Sequence, residues 1–85
     1  MIKSDDPFSN PENAAREIIR IAKREMEDTG YPVAFAGTVN STFTAGERGT
    51  VASYRAGRIL ATEKGWITFD GSGTRITVTP DGEDA

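Results

Sequence analysis

Residues 63–82, EKGWITFDGSGTRITVTPDG, constrain the fold more than any other stretch of the chain. Ile67 and Phe69 alternate with Trp66 and Thr68, and Ile76 and Val78 alternate with Arg75, Thr77 and Thr79. A period of two gives a strand one apolar and one polar face. Between the two runs, Asp70-Gly71-Ser72-Gly73 is turn chemistry, because glycine takes the positive φ that a tight connection needs. The pattern predicts a β-hairpin over 66–79 whose apolar face packs on helices. Pro80 brings no N–H and ends the pairing, which leaves residues 81–85 as an acidic, solvated tail.

A helix to cover that face is legible upstream, in SNPENAAREIIRIAKREMEDTG. Asn10 can cap it with Pro11 at the first helical position, or Ser9 can cap it with Glu12 three residues on. Ala15, Ile18, Ile19, Ala22 and Met26 recur at the three-four spacing of one helix face, and Gly30 supplies the stop. Arg16, Glu17, Arg20, Lys23, Arg24 and Glu27 mix both signs on the other face, the pattern of a solvated helix back. Residues 1–10 read as an unpaired leader.

The segment 31–49 is ambiguous. Val33, Phe35 and Val39 suit a strand, while the Ala-Phe-Ala-Gly run suits a short helical turn, and no second helix announces itself between Val33 and Arg48. Gly46 and Gly49 bracket Glu47 and Arg48 as a loop.

GTVASYRAGRILATEKG, residues 49–65, decides the fold class. Read as a strand, neither alternate set is cleanly apolar. Read as a helix over about 50–64, Ala52, Ala56, Ile59 and Leu60 form one stripe, with Tyr54, Arg58 and Ala61 opposite and Arg55 on the flank. The helical template fits better, although Gly57 in its interior costs about 1 kcal/mol relative to alanine. The expectation is a single α+β domain over 11–80: an N-terminal amphipathic helix, a second helix and a C-terminal hairpin.

Composition limits what such a domain does. With no cysteine and no histidine, the chain lacks thiolate and imidazole metal ligands, the usual nucleophile pairs and the usual neutral-pH base. An enzyme, a cofactor and a metal site are therefore not expected. At 85 residues the core is small, burying roughly 60–65% of the unfolded chain's surface, so a homodimer is plausible. No apolar run approaches the roughly 20 residues of a membrane span, and Asp5 and Asp6 stand where a secretory peptide is basic or apolar, so the expected location is the cytoplasm. The formal net charge of −3 is unevenly spread. From Ser41 to Thr79, five cations (Arg48, Arg55, Arg58, Lys64, Arg75) face three carboxylates (Glu47, Glu63, Asp70), so the middle of the chain is net positive.

The order of helix, undecided segment, helix ending in Lys64-Gly65-Trp66-Ile67, glycine-turn hairpin and then Ile76-Thr77-Val78-Thr79-Pro80-Asp81-Gly82 resembles a winged helix-turn-helix DNA-binding domain, most closely over 56–82. The resemblance implies a recognition helix over 50–64, a wing over 66–79 and duplex DNA as partner. Such a helix offers hydrogen-bonding groups to base edges and cations to phosphates. The residues that could do so are Thr50, Tyr54 and Arg58 on the outer face, with Arg58 suited to bidentate contact with guanine. Arg55 and Arg48 suit phosphates, Lys64 stands at the helix end, and Ser72, Thr74 and Arg75 sit at the wing. Taken singly, each arginine is better explained by solubility, and only their joint placement on one side would point to DNA.

Other motifs carry less. Asp70-Gly71-Ser72-Gly73-Thr74 spaces its oxygens like a calcium loop but lacks Gly at the sixth and Glu at the twelfth position, so a hairpin turn explains it better. No glycine-rich run ends in Gly-Lys-Ser/Thr. Trp66 reads as core or as a hinge between helix and wing. The implied function is duplex-DNA binding by a small transcriptional regulator. The rival is a protein-interaction module, a small inhibitor or assembly protein, in which 50–62 pair as a strand and the acidic surface meets the partner.

Overall fold

A computed structural model describes residues 8–46 and 49–85. Among them are four helices and a three-stranded antiparallel sheet. Helix α1 spans Pro11–Thr29, strand β1 Ala34–Phe35, α2 Ala36–Ser41, α3 Val51–Glu63, β2 Ile67–Phe69, β3 Arg75–Val78 and α4 Pro80–Glu83.

Helix α1 starts where Asn10 accepts a hydrogen bond from the Glu12 amide at 2.9 Å, with Pro11 in the first turn, and stops at Gly30 in the left-handed region, φ 76°. Its buried face holds Ala15, Ile18, Ile19 and Ala22, joined by Ala14 and Ile21. The hairpin forms within the span that the alternation predicts, with Ile67 opposite Val78 and Phe69 opposite Ile76. Ile67 and Ile76 are fully buried against the helices, with Phe69 and Val78 half-buried beside them.

The ambiguous segment resolves into three pieces. Val33 leads into a two-residue strand that pairs with β3, Ala34 opposite Ile76 and Phe35 opposite Arg75, so the sheet order is β1-β3-β2. Glu25 of α1 accepts the Phe35 amide at 3.0 Å, which fixes β1 to the helix behind it. Helix α2 follows directly, and a wide turn of π-helical geometry, Thr42–Gly46, continues from it. A helix therefore does stand between Val33 and Arg48, where the sequence leaves a strand and a short helical turn both open and shows no clear second helix. Its six residues, AGTVNS, form helix poorly by themselves, and its first turn has no side-chain cap. What holds it is burial of Val39 and, just beyond it, Phe43, both 0% exposed.

Residues 51–63 are helical, so the strand version of the rival reading falls. The buried side of α3, however, is not the stripe expected. Ser53, Tyr54, Gly57 and Ala61 are buried, while Ala52 is exposed and Ile59 is 47% exposed. Gly57 is the cause: a Cβ there would stand 2.7 Å from the Cβ of Ala14 and 2.9 Å from the Ala15 amide nitrogen, so only a bare Cα lets the two helices approach. The glycine that weakens α3 as an isolated helix is its closest packing point.

The two chain ends are less free than expected. Phe8, placed in the leader, packs its ring 4.9 Å from that of Phe43; residues 1–7 of that leader lie outside the described residues. Residues 81–83, read as the start of an acidic, solvated tail, join Pro80 in the short helix α4. Thr79 caps it by accepting the Gly82 amide at 3.0 Å, and its hydroxyl also lies 3.1 Å from the Trp66 carbonyl. Gly82 is buried against the Trp66 backbone, and Glu83 pairs with Lys23 of α1 at 3.0 Å. Thr79 followed by Pro80 is itself a helix-start signal, a cap with proline at the first position. No helix of the described residues is long and apolar enough to cross a membrane.

Candidate nucleic-acid interface

Helix α3 carries the candidate surface, and its N-terminus is locally well determined. Thr50 and Ser53 form a reciprocal capping box: the Thr50 hydroxyl accepts the Ser53 amide, and the Ser53 hydroxyl accepts the Thr50 amide, each at 2.9 Å. Thr50, expected to reach a base edge, is thus engaged as a cap. At the other end Gly65, φ 73°, turns the chain so that the Trp66 amide donates to Ala61 at 2.9 Å and β2 can begin.

Tyr54, also expected to face outward, is only 8% exposed, and its ring meets Phe43 edge-on at 5.6 Å. Burial raises its phenol above the usual 10.0, and the nearby Arg58 guanidinium offsets part of that. It belongs to the core because Gly57, three residues on, turns that side of the helix toward α1.

The arginines divide. Arg55 is exposed and carries no ion pair among the described residues. Arg58 is half-buried, its guanidinium carbon 5.9 Å from the Phe69 ring centroid, with a buried Nε that has no hydrogen-bond partner. The expected guanine reader is thus held partly against the hairpin. Lys64, at the end of α3, places its ammonium 5.7 Å from the Trp66 ring centroid, and Arg16 of α1 lies 5.3 Å from the same centroid.

The hairpin turn is organised inward, around Asp70. Its carboxylate accepts from the Ser72 hydroxyl at 2.9 and 3.0 Å and from the Thr74 and Arg75 amides at 3.1 and 3.3 Å. It also accepts from the Arg75 guanidinium at 3.0 Å. The Ser72 and Thr74 hydroxyls are 2.7 Å apart. Partial desolvation works to raise the Asp70 pKa, but the hydrogen bonds from Ser72, Arg75 and Thr74 outweigh it and hold it at about 2 instead of 3.8. Ser72, Thr74 and Arg75, expected as contacts at the wing, are therefore committed to shaping the turn. Arg48 lies outside the described residues.

What the fold brings together is narrower than the expected set. A groove of about 420 Å³ runs between α2, α3 and the hairpin turn, lined by Ala36, Asn40, Val51, Tyr54, Arg55, Arg58, Phe69 and Gly73. Both α3 arginines border it, and among the described residues no carboxylate does. Asn40, Val51 and Phe69 went unrecognised in the sequence. Asn40 lies on a helix that had no local signal, Val51 has no role in the expected helix, and Phe69 reads as part of the apolar face of the hairpin. Among the described residues, no group of three or more carboxylates, histidines or cysteines could hold a metal ion.

Comparison of the chain with protein-family models, with curated proteins and with solved structures finds no match.

Proposed function

We propose that this chain is a small winged-helix protein that binds duplex DNA through α3 and regulates transcription or a related DNA transaction without catalysis, by occluding or recruiting at an operator. The observation that carries the reading is the groove beside α3. Arg55 and Arg58 stand three residues apart on its border, and among the described residues its lining includes no acidic side chain although the whole chain is net negative. Phosphate oxygens are the complement of such a surface. The arrangement around it supports the same reading: α2 and α3 are consecutive helices, α3 leads directly into a β-ribbon, and the ribbon's turn comes back beside α3 at Gly73. A helix docked in the major groove presents its N-terminal residues to base edges, which here are Val51 and Ala52, while Arg55 suits a phosphate. A homodimer would place two such helices on successive half-sites, and sedimentation of the chain with and without DNA tests it.

The direct test is fluorescence anisotropy with a random-sequence duplex. At low salt the chain should bind, the affinity should fall steeply as salt rises, and Arg55→Ala combined with Arg58→Ala should abolish the signal. A folded protein that leaves the duplex free at low salt overturns the reading.

One observation favours a second reading. Val51 is 75% exposed and Ile59 47%, both on the outer side of α3, and a protein partner would bury them. In that case α3 is a docking helix in a protein-interaction module, and the arginines flank an apolar contact.

A further inference from the structure

The outward side of α3 is apolar where a helix facing only water would be charged. Val51, Arg55 and Ile59 follow one another at intervals of four residues, one above the next on a single stripe, and Ala52 is exposed beside them. Arg55 alone interrupts the stripe with a charge before Thr62 and Glu63 close it at the C-terminal end. On the hairpin side, Phe69 continues the apolar surface next to Arg58 and Ile59.

The same helix is poor in groups that read base edges by hydrogen bonds. It contains no Asn or Gln. Its Ser53 hydroxyl is spent in the cap and its Thr62 hydroxyl donates to the Arg58 carbonyl at 2.8 Å. Arg58 leans on Phe69, which leaves Arg55 as the side chain on this stripe able to address a phosphate or a guanine. In the major groove, the base-pair feature that an aliphatic side chain recognises is the C5-methyl group of thymine.

We infer that α3 selects its duplex by methyl groups: Val51, Ala52 and Ile59 pack against C5-methyls projecting into the major groove, while Arg55 anchors the helix to the backbone. The inference rests on the duplex-binding reading above and adds the chemistry of the preferred sequence, which is rich in thymine. The charge complementarity of the Arg55 and Arg58 border to phosphate is what assigns this apolar stripe to DNA and not to another protein. Each methyl buried against an aliphatic side chain is worth about a fourfold gain in affinity.

Removing the methyl groups without changing the sequence tests this. Anisotropy is measured for the full chain at one low salt concentration on four duplexes of equal length: an A·T-rich duplex, the same duplex with deoxyuridine for thymidine, a G·C-rich duplex, and the same duplex with 5-methylcytosine for cytosine. The thymine duplex should bind about tenfold more tightly than its uracil counterpart, and methylated cytosine should bind more tightly than unmethylated. Val51→Ser combined with Ile59→Ser changes two exposed positions. In that variant both ratios should fall most of the way to one, with Ala52 as the remaining methyl contact. Equal binding of the thymine and uracil duplexes by the unmodified chain overturns methyl selection and leaves duplex binding intact, as does a double variant that keeps the ratio. Failure to bind any of the four overturns both, and self-association lost on the same double substitution would then assign the stripe to a protein contact.

Discussion

Gly57 of α3 sits directly on Ala14 of α1, so close that a Cβ on the glycine would lie 2.8 Å from the Ala14 carbonyl carbon. Backbone atoms cannot swing aside as the end of a flexible side chain can. Gly57→Ala should therefore destabilise the fold, even though alanine is the better helix former by about 1 kcal/mol. With backbone as the obstacle the overpacking cost lies toward the upper end of about 1–3 kcal/mol, so after the gain in helix propensity the net loss should reach about 2 kcal/mol. In a domain of this size that lowers Tm by about 4–8 °C per kcal/mol, measurable by circular dichroism. An unchanged or higher Tm would mean that α1 and α3 do not approach at this point.

Phe43 joins three parts of the molecule, with the rings of Phe8 and Tyr54 at 4.9 and 5.6 Å. It is fully buried, and Phe43→Ala should cost about 3–5 kcal/mol, a large share of the stability of any small domain. Urea unfolding should show the loss, while Phe43→Leu should retain most of it. Because Phe43 also anchors the turn after α2, amide exchange in 36–46 should accelerate more than exchange in the hairpin.

Asp70 makes the hairpin turn sensitive to acid. Its pKa in the folded chain, about 2, lies below the ordinary 3.8, so the folded state holds the ionised form more tightly. The stabilisation is therefore present above about pH 4 and is lost as the pH falls through the folded value near 2. An NMR titration of the Asp70 carboxyl carbon should show the low midpoint, and the amide shifts of Thr74 and Arg75 should move with it. In Asp70→Asn, which keeps one acceptor oxygen but no charge, this pH-dependent contribution should vanish.

Trp66 reports on the chain end. The Thr79 hydroxyl contacts the Gly65 carbonyl at 2.5 Å and the Trp66 carbonyl at 3.1 Å, and buried Gly82 rests on the same backbone. Thr79→Val removes a cap and the bonds to two carbonyls, for an expected cost of about 1–2 kcal/mol. Fluorescence from this single tryptophan should shift to the red as the base of the hairpin loosens. Glu83→Gln, which breaks only the solvent-exposed pair with Lys23, should change stability by less than about 1 kcal/mol.

The two α3 arginines should separate in their effects. Arg55→Ala removes an exposed side chain, so Tm should hold while the slope of log affinity against log salt becomes shallower by about one phosphate contact. Arg58→Ala also removes a half-buried stem packed over Phe69, so it should lower both Tm and affinity. Equal effects of the two on stability would contradict their different environments.

Much of this architecture was legible locally. The Asn10 cap, Pro11 and Gly30 bound α1, and period-two alternation with a glycine turn placed the hairpin and its apolar face, because caps, turns and alternation act over a few residues. The short helix after Thr79 carried a signal of the same kind in Thr79-Pro80. Which side of α3 is buried was not legible. The stripe of Ala52, Ala56, Ile59 and Leu60 looks more apolar than Ser53, Tyr54, Gly57 and Ala61, yet the second faces inward. That choice depends on the closeness of α1, and α1 comes close only because Ala14 and Gly57, more than forty positions apart, are both small. For the same reason α2 had no signature of its own: its residues are poor helix formers, and burial of Val39 and Phe43 supplies what local propensity lacks. The sequence by itself determined which segments coil, pair and turn. Only the tertiary structure decided which side chains are left outside, since exposure is set by the distance between segments that no local pattern encodes.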